Sequence, residues 1–279
     1  MGYRTQDLIF TLYGDYIVSR GGEAWIGSII TLMAELDTSA QAVRSTLSRM
    51  TRNGWLRSRR EGRHSFYAIT AKTETLLTEG ARRIYEPRQD PWDKRWYVLN
   101  YSIPEDQRHL RHRLRQRLIW LGFGRLGPAS WVSPRDLRQD VVDVAEALGV
   151  SDQIFLFSGE FLGTSGVKTL VDHCWGLKQL NQAYQDFVKR HRSDWEVFKR
   201  QAENGSINPH SAFKRRFLLV HEYRSFPYVD PNLPPELLPE DWLGNDAIHF
   251  FQMYAALLAA QANAYVDDVM AAGPGNNIK

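Results

Sequence analysis

The segment from residue 39 to residue 53 constrains the fold of this chain more than any other, because its apolar and polar side chains separate onto two faces of a helix. Val43, Leu47 and Met50 recur at helical spacing, which predicts a buried stripe. Residues 38–41 fit a capping box, which predicts where the helix begins. Such a helix packs one side against a scaffold and presents the other side outward.

The segments around this helix predict a small domain built from helices and one hairpin. Gly21-Gly22 stops the first helix, and Asn53-Gly54 ends the third, as a C-terminal glycine commonly does. Residues 59–63 form the charged tip of the hairpin. The predicted elements are helices at residues 5–19, 26–36 and 39–53, a hairpin at 56–69 and a fourth helix at 70–85. This order is typical of a winged helix-turn-helix.

Positive charge is concentrated in the same part of the sequence. Residues 38–67 hold seven arginines and one acid, a local charge of +6, whereas the whole chain carries only +3. Residues 222–246 have the opposite balance, with six acids and one base. A basic stripe near one end is a typical footprint for nucleic acid, and a solvated face is the alternative interpretation.

The polar side of the 39–53 helix carries groups suited to contacting DNA bases. Short serines let a helix enter the major groove deeply, and arginine can hydrogen-bond guanine or clamp a phosphate. Three arginines and no acid occupy this side, whereas solvated helices usually mix charges. Gln41 has a second possible use, as part of the cap. The helix residues predicted to contact DNA are Ser39, Gln41, Arg44, Ser45, Ser48, Arg49 and Arg52.

The hairpin adds a second group of cations directly after this helix. A basic wing typically lies along phosphates or enters the minor groove, and it contributes affinity more than base preference. A basic loop without function is the alternative. The wing residues predicted to contact DNA are Arg57, Arg59, Arg60, Arg63 and His64.

The rest of the chain predicts two further domains. Strands at residues 96–103, 129–132 and 153–157 alternate with helices at 105–121 and 137–148, which indicates a domain of ferredoxin-like type. The remainder is mostly helical, with a proline-rich loop at 227–239. Its predicted helices lie at 170–191, 195–204, 211–223 and 246–270. The fold class is therefore α+β, with domains at residues 1–86, 92–165 and 166–279 and a proline-marked linker at 86–91.

Several stretches resemble one family in the expected order along nearly the whole chain. They are residues 42–50 (AVRSTLSRM) with 53–56 (NGWL), 62–67 (GRHSFY), 121–124 (LGFG) with 131–134 (WVSP), and 230–234 (DPNLP) with 237–239 (LLP). In combination they resemble the PaaX family of transcriptional repressors, which control phenylacetate and related aromatic catabolism. The resemblance implies a winged helix, a ferredoxin-like middle domain similar to a CRISPR-associated nuclease, and a helical C-terminal domain. It also implies a homodimer that releases its DNA operator on binding an aryl-CoA thioester.

The nuclease-like middle domain raises a metal-dependent nuclease of the CRISPR type as an alternative function. In that family an aspartate at the end of the first strand binds metal, and Ser102 occupies this place here. A serine hydroxyl supplies no anionic oxygen for a divalent metal. Ser102 is instead expected to cap the following helix, with Glu105 three residues on. The sequence therefore predicts no catalytic activity, no metal and no cofactor.

Three other motifs lack the context that their chemistry needs. Residues 122–127 match a dinucleotide fingerprint but follow a predicted helix rather than a strand, so a turn is expected. Residues 163–169 resemble a phosphate loop with the wrong spacing. His109 and His112 lie among arginines, which would repel a metal cation.

A site for a CoA thioester needs aromatic walls and cationic groups. The candidates are Trp175, His221, Tyr223 and Arg224, although each is also compatible with an ordinary core position. The basic helix at residues 108–117 is a further candidate for the CoA phosphates, and it could equally contact DNA or remain solvated. A DNA-bridging protein without an effector is a third functional alternative.

The expected location is the cytoplasm. Cys174 is the only cysteine, which fits a reducing compartment. The N-terminus lacks the apolar core of a signal peptide. The longest apolar stretch, near residues 250–266, is interrupted by Gln252, Gln261 and Asn263, which predicts a core helix rather than a membrane span.

Overall fold

The computed structural model describes residues 3–85 and 91–274, in which helices and two antiparallel sheets confirm the α+β class. The chain forms two compact units. The first contains the described residues up to 85 together with 187–224 and 246–274, and the second contains 91–186 and 225–245. The predicted linker at 86–91 lies, apart from Pro91, outside the described residues. The predicted division into three consecutive domains stays a prediction.

The elements are numbered in chain order. The helices are α1 (Thr5–Leu12), α2 (Ile26–Ala34), α3 (Ala40–Arg52), α4 (Ala71–Tyr85), α5 (Arg108–Leu121), α6 (Arg138–Leu148), α7 (Val167–Cys174), α8 (Leu177–Glu203), α9 (Pro209–Tyr223), α10 (Phe226–Val229) and α11 (Gly244–Ala271). The strands are β1 (Glu23–Trp25), β2 (Leu56–Glu61), β3 (His64–Ile69), β4 (Trp96–Tyr101), β5 (Gly124–Arg125), β6 (Ser130–Ser133) and β7 (Ile154–Gly159). The strand order is β1-β3-β2 in the first unit and β5-β6-β4-β7 in the second.

Helix α3 has the two faces that the sequence predicts, but its cap differs. Val43, Leu47 and Met50 are fully buried. Ser39 is the N-cap, and its hydroxyl accepts a hydrogen bond from the Ala42 amide at 3.2 Å. The predicted capping box is wrong, because the Thr38 hydroxyl donates to the Leu36 carbonyl instead. Gln41 is therefore exposed in the first turn and is not used by the cap.

The hairpin spans residues 56–69 as the sequence predicts, but its turn is tighter than expected. Glu61 pairs with His64, so only Gly62 and Arg63 form the turn, and Arg59 belongs to strand β2 rather than to the tip. Gly62 has a φ of +55°, which favours glycine. Strand β1 is not predicted, because three residues are too few to show an alternating pattern.

The first helix is not uniform. After Leu12 the chain continues through a π-helical turn over Tyr13–Ile17 and a 3₁₀ turn over Val18–Arg20. It stops at Gly21, where φ is +92°. Tyr16 in the π-helical turn packs against Phe213 and Phe217 of α9, with ring centroids 5.4 and 6.5 Å apart. These contacts place α9 in the same core as α1.

The sheet of the second unit is covered on both faces. Helices α5 and α6 bury Leu114, Leu118 and Val141 against Leu99 and Trp131 on one face. On the other face, an apolar cluster is formed by Trp96, Val132, Val171, Trp175, Leu177, Leu233 and Leu237. The short strand β5 occupies part of the predicted turn at 122–127.

The boundaries of the C-terminal helices differ from those predicted. The expected helix at 170–191 is interrupted at Trp175, whose backbone is extended, and the indole of Trp175 donates to the Gly122 carbonyl at 3.2 Å. Helix α8 then continues through the predicted break near residue 192. Among the described residues, no helix is long and apolar enough to cross a membrane.

Candidate nucleic-acid interface

The predicted DNA-contacting side of α3 is exposed along its whole length. Its residues are Ser39, Gln41, Arg44, Ser45, Ser48, Arg49 and Arg52. Within residues 3–85 and 91–274, Arg44 and Arg52 form no ion pair, and Arg49 only approaches the hydroxyl of Thr46 at 3.5 Å. The guanidinium groups are therefore available for a partner with acceptor groups or negative charge.

The opposite side of α3 is packed against the rest of the first unit. Helix α3 packs against α1 and α2, and its apolar stripe is fully buried. A cleft beside α3 is lined by Arg4, Thr5, Gln6, Asp7, Ala42, Ser45, Thr46 and Arg49. A helix whose one stripe is fixed and whose opposite stripe is polar and cationic can enter a groove as a rigid body.

The arginines of the β2–β3 hairpin fall into two classes. Arg57, Arg60 and Arg63 are exposed and form no ion pair with any described residue. Arg59 instead lies between the carboxylates of Glu23 and Glu61, at 2.8 and 2.6 Å. Only the first class offers positive charge that is not already compensated by the protein.

His64, the last predicted wing residue, is partly buried. Its ring lies edge-on to Trp25 with centroids 5.8 Å apart. This contact joins the start of β3 to β1, so His64 has a structural partner within the sheet.

The C-terminal helices brace the helices that carry the interface, which sequence reasoning missed. The Tyr265 hydroxyl donates to Glu35 at 2.9 Å, and His210 pairs with the same carboxylate at the end of α2. Lys214 lies 3.6 Å from Asp37 in the turn that leads into α3. Residues more than 170 positions apart leave no local signal in a single sequence.

A second set of long-range contacts involves Asp15 in the π-helical turn. Asp15 and Arg216 form a buried ion pair, with side chains 7% and 11% exposed. The Tyr85 hydroxyl at the end of α4 donates to Asp15 at 2.8 Å. The guanidinium of Arg216 also donates to the Ala255 carbonyl of α11 at 3.2 Å. One buried polar network therefore joins α4, α9 and α11 to the segment after α1.

The candidate effector residues are engaged by other protein groups. Trp175, in the second unit, is buried in the apolar cluster around Trp96. In the first unit, the His221 ring lies 2.8 Å from the Thr11 hydroxyl, and burial lowers the pKa of His221 to about 4. Tyr223 stacks on Phe251 with centroids 4.0 Å apart, and Arg224 lies 4.0 Å from Asp7. The assignment of these residues to an effector stays a prediction.

Ser102 lies just beyond β4 and is exposed. The prediction that it caps the next helix is wrong, because that helical segment begins at Glu105 after Pro104 and has no side-chain cap. The Ser102 amide instead donates to the Gln153 carbonyl at 2.8 Å. Among the described residues, no group of three or more His, Cys, Asp or Glu is arranged to hold a metal ion.

Comparison with known proteins places three family descriptions along the chain. They are "PaaX-like protein" over residues 4–73, "PaaX protein central Cas2-like domain" over 89–171 and "PaaX-like protein C-terminal domain" over 175–268. The transcriptional repressor PaaX of Escherichia coli (strain K12) is 34% identical over 264 residues, which cover 94% of this chain and 82% of that protein. Among solved structures, the uncharacterized protein Rv0674 from Mycobacterium tuberculosis aligns with a TM-score of 0.60 at 20% identity, over 95% of this chain and 97% of that one. The last likeness concerns the fold alone.

Proposed function

Since the chain belongs to the PaaX-like protein family, we propose that it is a DNA-binding transcriptional repressor of an operon for aromatic-acid catabolism, such as that of phenylacetate. The observation that carries this proposal is the exposed face of α3. That face presents three arginines and no acid, and the opposite stripe of the same helix is fully buried. The repressor of Escherichia coli supports the regulatory role through its sequence identity.

We interpret the helices α1 to α4 with β1 to β3 as a winged helix-turn-helix. In this interpretation α3 enters the major groove, and the β2–β3 hairpin lies along the phosphate backbone. In the second unit, the order β5-β6-β4-β7 with α5 and α6 on one face is the arrangement of a ferredoxin-like domain. The Cas2-like description of the matching segment supports this interpretation.

The effector and the assembly form the second part of the proposal. The repressor acts in the cytoplasm as a homodimer on a two-fold operator, and an aryl-CoA thioester releases it. Release requires that the thioester bind the DNA-free conformation more tightly than the DNA-bound one. The protein performs no reaction of its own, because Ser102 stands where a nuclease would need a metal-binding aspartate.

Titration of ligands against labelled operator tests this proposal. Phenylacetyl-CoA is expected to release the DNA at micromolar concentrations, whereas free phenylacetate, which lacks the CoA phosphates, is not. Other acyl-CoAs test the aromatic requirement. If no thioester shifts binding, the effector part fails, and a protein that binds all DNA without base preference would be a bridging protein instead. Metal-dependent cleavage of DNA or RNA that tracks with the purified protein and disappears on mutating acids of the second unit would contradict the non-catalytic role.

A further inference from the structure

Helix α5, in the second unit, carries a dense group of basic side chains. They are not part of the proposed DNA-contacting face of α3. Between Arg108 and Arg117, α5 holds five arginines and two histidines, with no acid. Two of the arginines are used within the protein. Arg111 pairs with Glu105, and Arg115 donates to the Tyr101 hydroxyl at 2.8 Å and to the Pro128 carbonyl at 3.0 Å.

The other basic side chains lie on the exposed side of α5, here called the α5 face. It consists of Arg108, His109, His112, Arg113 and Arg117. None of these side chains has a hydrogen bond or ion pair with any residue that the structure describes. At 100° per residue His109, His112 and Arg113 lie opposite the buried Leu114 and Leu118, and Arg108 and Arg117 flank them on either side. The apolar side thus anchors the helix and the basic side points outward.

The neighbouring elements do not neutralise this face. Helix α6 packs beside α5 and carries Asp140, Asp143 and Glu146, but within the described parts of the chain none of them pairs with an α5 side chain. Cations in the first turn of α5 oppose the helix dipole, and the pair Arg113 and Arg117 places like charges one turn apart. The arrangement therefore weakens the helix, and a polyanionic partner would relieve that repulsion.

We propose that the α5 face is a second DNA-binding surface, which contacts the phosphate backbone without base preference. This inference rests on the proposed DNA-binding function. Arg108 and Arg117 are about 13 Å apart along the helix axis, at 1.5 Å per residue. A stretch of duplex of that length carries about eight phosphate charges. The α5 face thus has the length and charge to bind several phosphates at once.

The test uses the full chain with Arg108→Gln, Arg113→Gln and Arg117→Gln combined. Affinity for operator and for unrelated duplex should fall alike, and the slope of log K against log salt should become shallower by about two to three, at about 0.9 per lost phosphate contact. The melting temperature should stay the same or rise, because like-charge repulsion is removed. The triple Arg→Lys variant at the same positions should restore the slope.

The matched control changes three exposed lysines elsewhere in the second unit, Lys94, Lys168 and Lys178, to glutamine. It removes the same net charge and should leave the slope near that of the wild type. A wild-type salt slope in the triple Arg→Gln variant would overturn the inference. It would do so even if the oligomeric state of that variant or its response to a CoA thioester changed. Arg44→Ala in the same titration distinguishes a failure of this inference from a failure of the proposed function. If wild type prefers its operator and that variant loses the preference, the function stands whatever the α5 variant does.

Discussion

Arg59 and Glu23 belong to strands at opposite edges of the three-stranded sheet, yet their side chains meet 2.8 Å apart across the strand between them. The Arg59 guanidinium lies 4.4 Å from the centroid of the Phe66 ring on that middle strand. Hydrogen bonds with Glu23 and Glu61 raise the pKa of Arg59 above its ordinary value. The positive charge of Arg59 is thus compensated within the three-stranded sheet, whereas the adjacent Arg60 has no such partner in the described chain.

Arg59 and Arg60 should therefore differ in DNA binding. Arg60→Gln should make the slope of log K against log salt shallower by about one, because one phosphate contact is lost. Arg59→Gln should change the slope much less, since that charge is already paired. Glu23→Gln should raise affinity for all sequences, because it removes one of the two carboxylates that compensate the charge of Arg59. Binding titrations over a range of salt concentrations measure all three, and equal effects of the two arginine variants would contradict the assignment.

The buried pair of Asp15 and Arg216 should contribute strongly to the stability of the first unit. Arg216→Met leaves a buried carboxylate without its cation, so the free energy of unfolding should fall by about 3 kcal/mol or more. The double variant, which also carries Asp15→Asn, should lose less unfolding free energy than the sum of the losses in the two single variants. Denaturant unfolding of the four proteins measures this coupling.

Arg20 and Asp267 provide a matched control for that cycle, because the Asp267 side chain is 62% exposed. Asp267→Asn should cost less than about 1 kcal/mol. If Arg216→Met lowers the free energy of unfolding no more than Asp267→Asn does, the buried network does not stabilise the packing of these helices as inferred.

His221 should make stability depend on pH in a defined window. Burial, assisted by the nearby charge of Arg224, lowers the pKa of His221 to about 4 from an ordinary value of 6.5. Between these values the unfolded chain binds a proton that the folded state excludes, so this contribution to stability is present above pH 6.5 and is lost as pH falls toward 4. With allowance for solvent screening, the loss is on the order of 1–2 kcal/mol.

Comparison of wild type with His221→Gln at several pH values isolates this contribution. The stability difference between the two proteins should change between pH 6.5 and 4 and be constant above that range. Above about pH 4.5 Glu222 does not interfere, because a hydrogen bond with His191 lowers the pKa of Glu222 to about 2 and its contribution to stability is lost only below that pH. A difference that stays constant across the whole range would contradict the buried, neutral state of His221.

Features set by short stretches of chain could be predicted from the sequence. The buried stripe of α3, the stop at Gly54 and the β2–β3 hairpin follow from periodicity and turn chemistry between near neighbours. The sequence predicts the N-cap one residue too early, at Thr38 instead of Ser39. Both residue types are good N-caps, and the local backbone conformation determines which of them caps the helix.

Features that depend on tertiary contacts could not be predicted. Arg59 and Arg60 look alike in the sequence, and only the strand order brings Glu23 to one of them. Asp15 and Arg216 are separated by 201 positions, so their pairing has no local signature. Trp175 looks like a helical residue, yet its backbone is extended and its buried indole donates to the distant Gly122 carbonyl.

The most direct test of the central claim is a base-by-base measurement of operator recognition. The wild-type protein selects an operator from random duplexes, and Kd is then measured for every single-base variant with wild type, Arg44→Ala and Arg52→Ala. At least one alanine variant should lose ~1–3 kcal/mol of operator affinity and should lose base preference at one position of each half-site. If both folded variants bind the selected operator and its single-base variants as the wild type does, α3 does not recognise the DNA sequence.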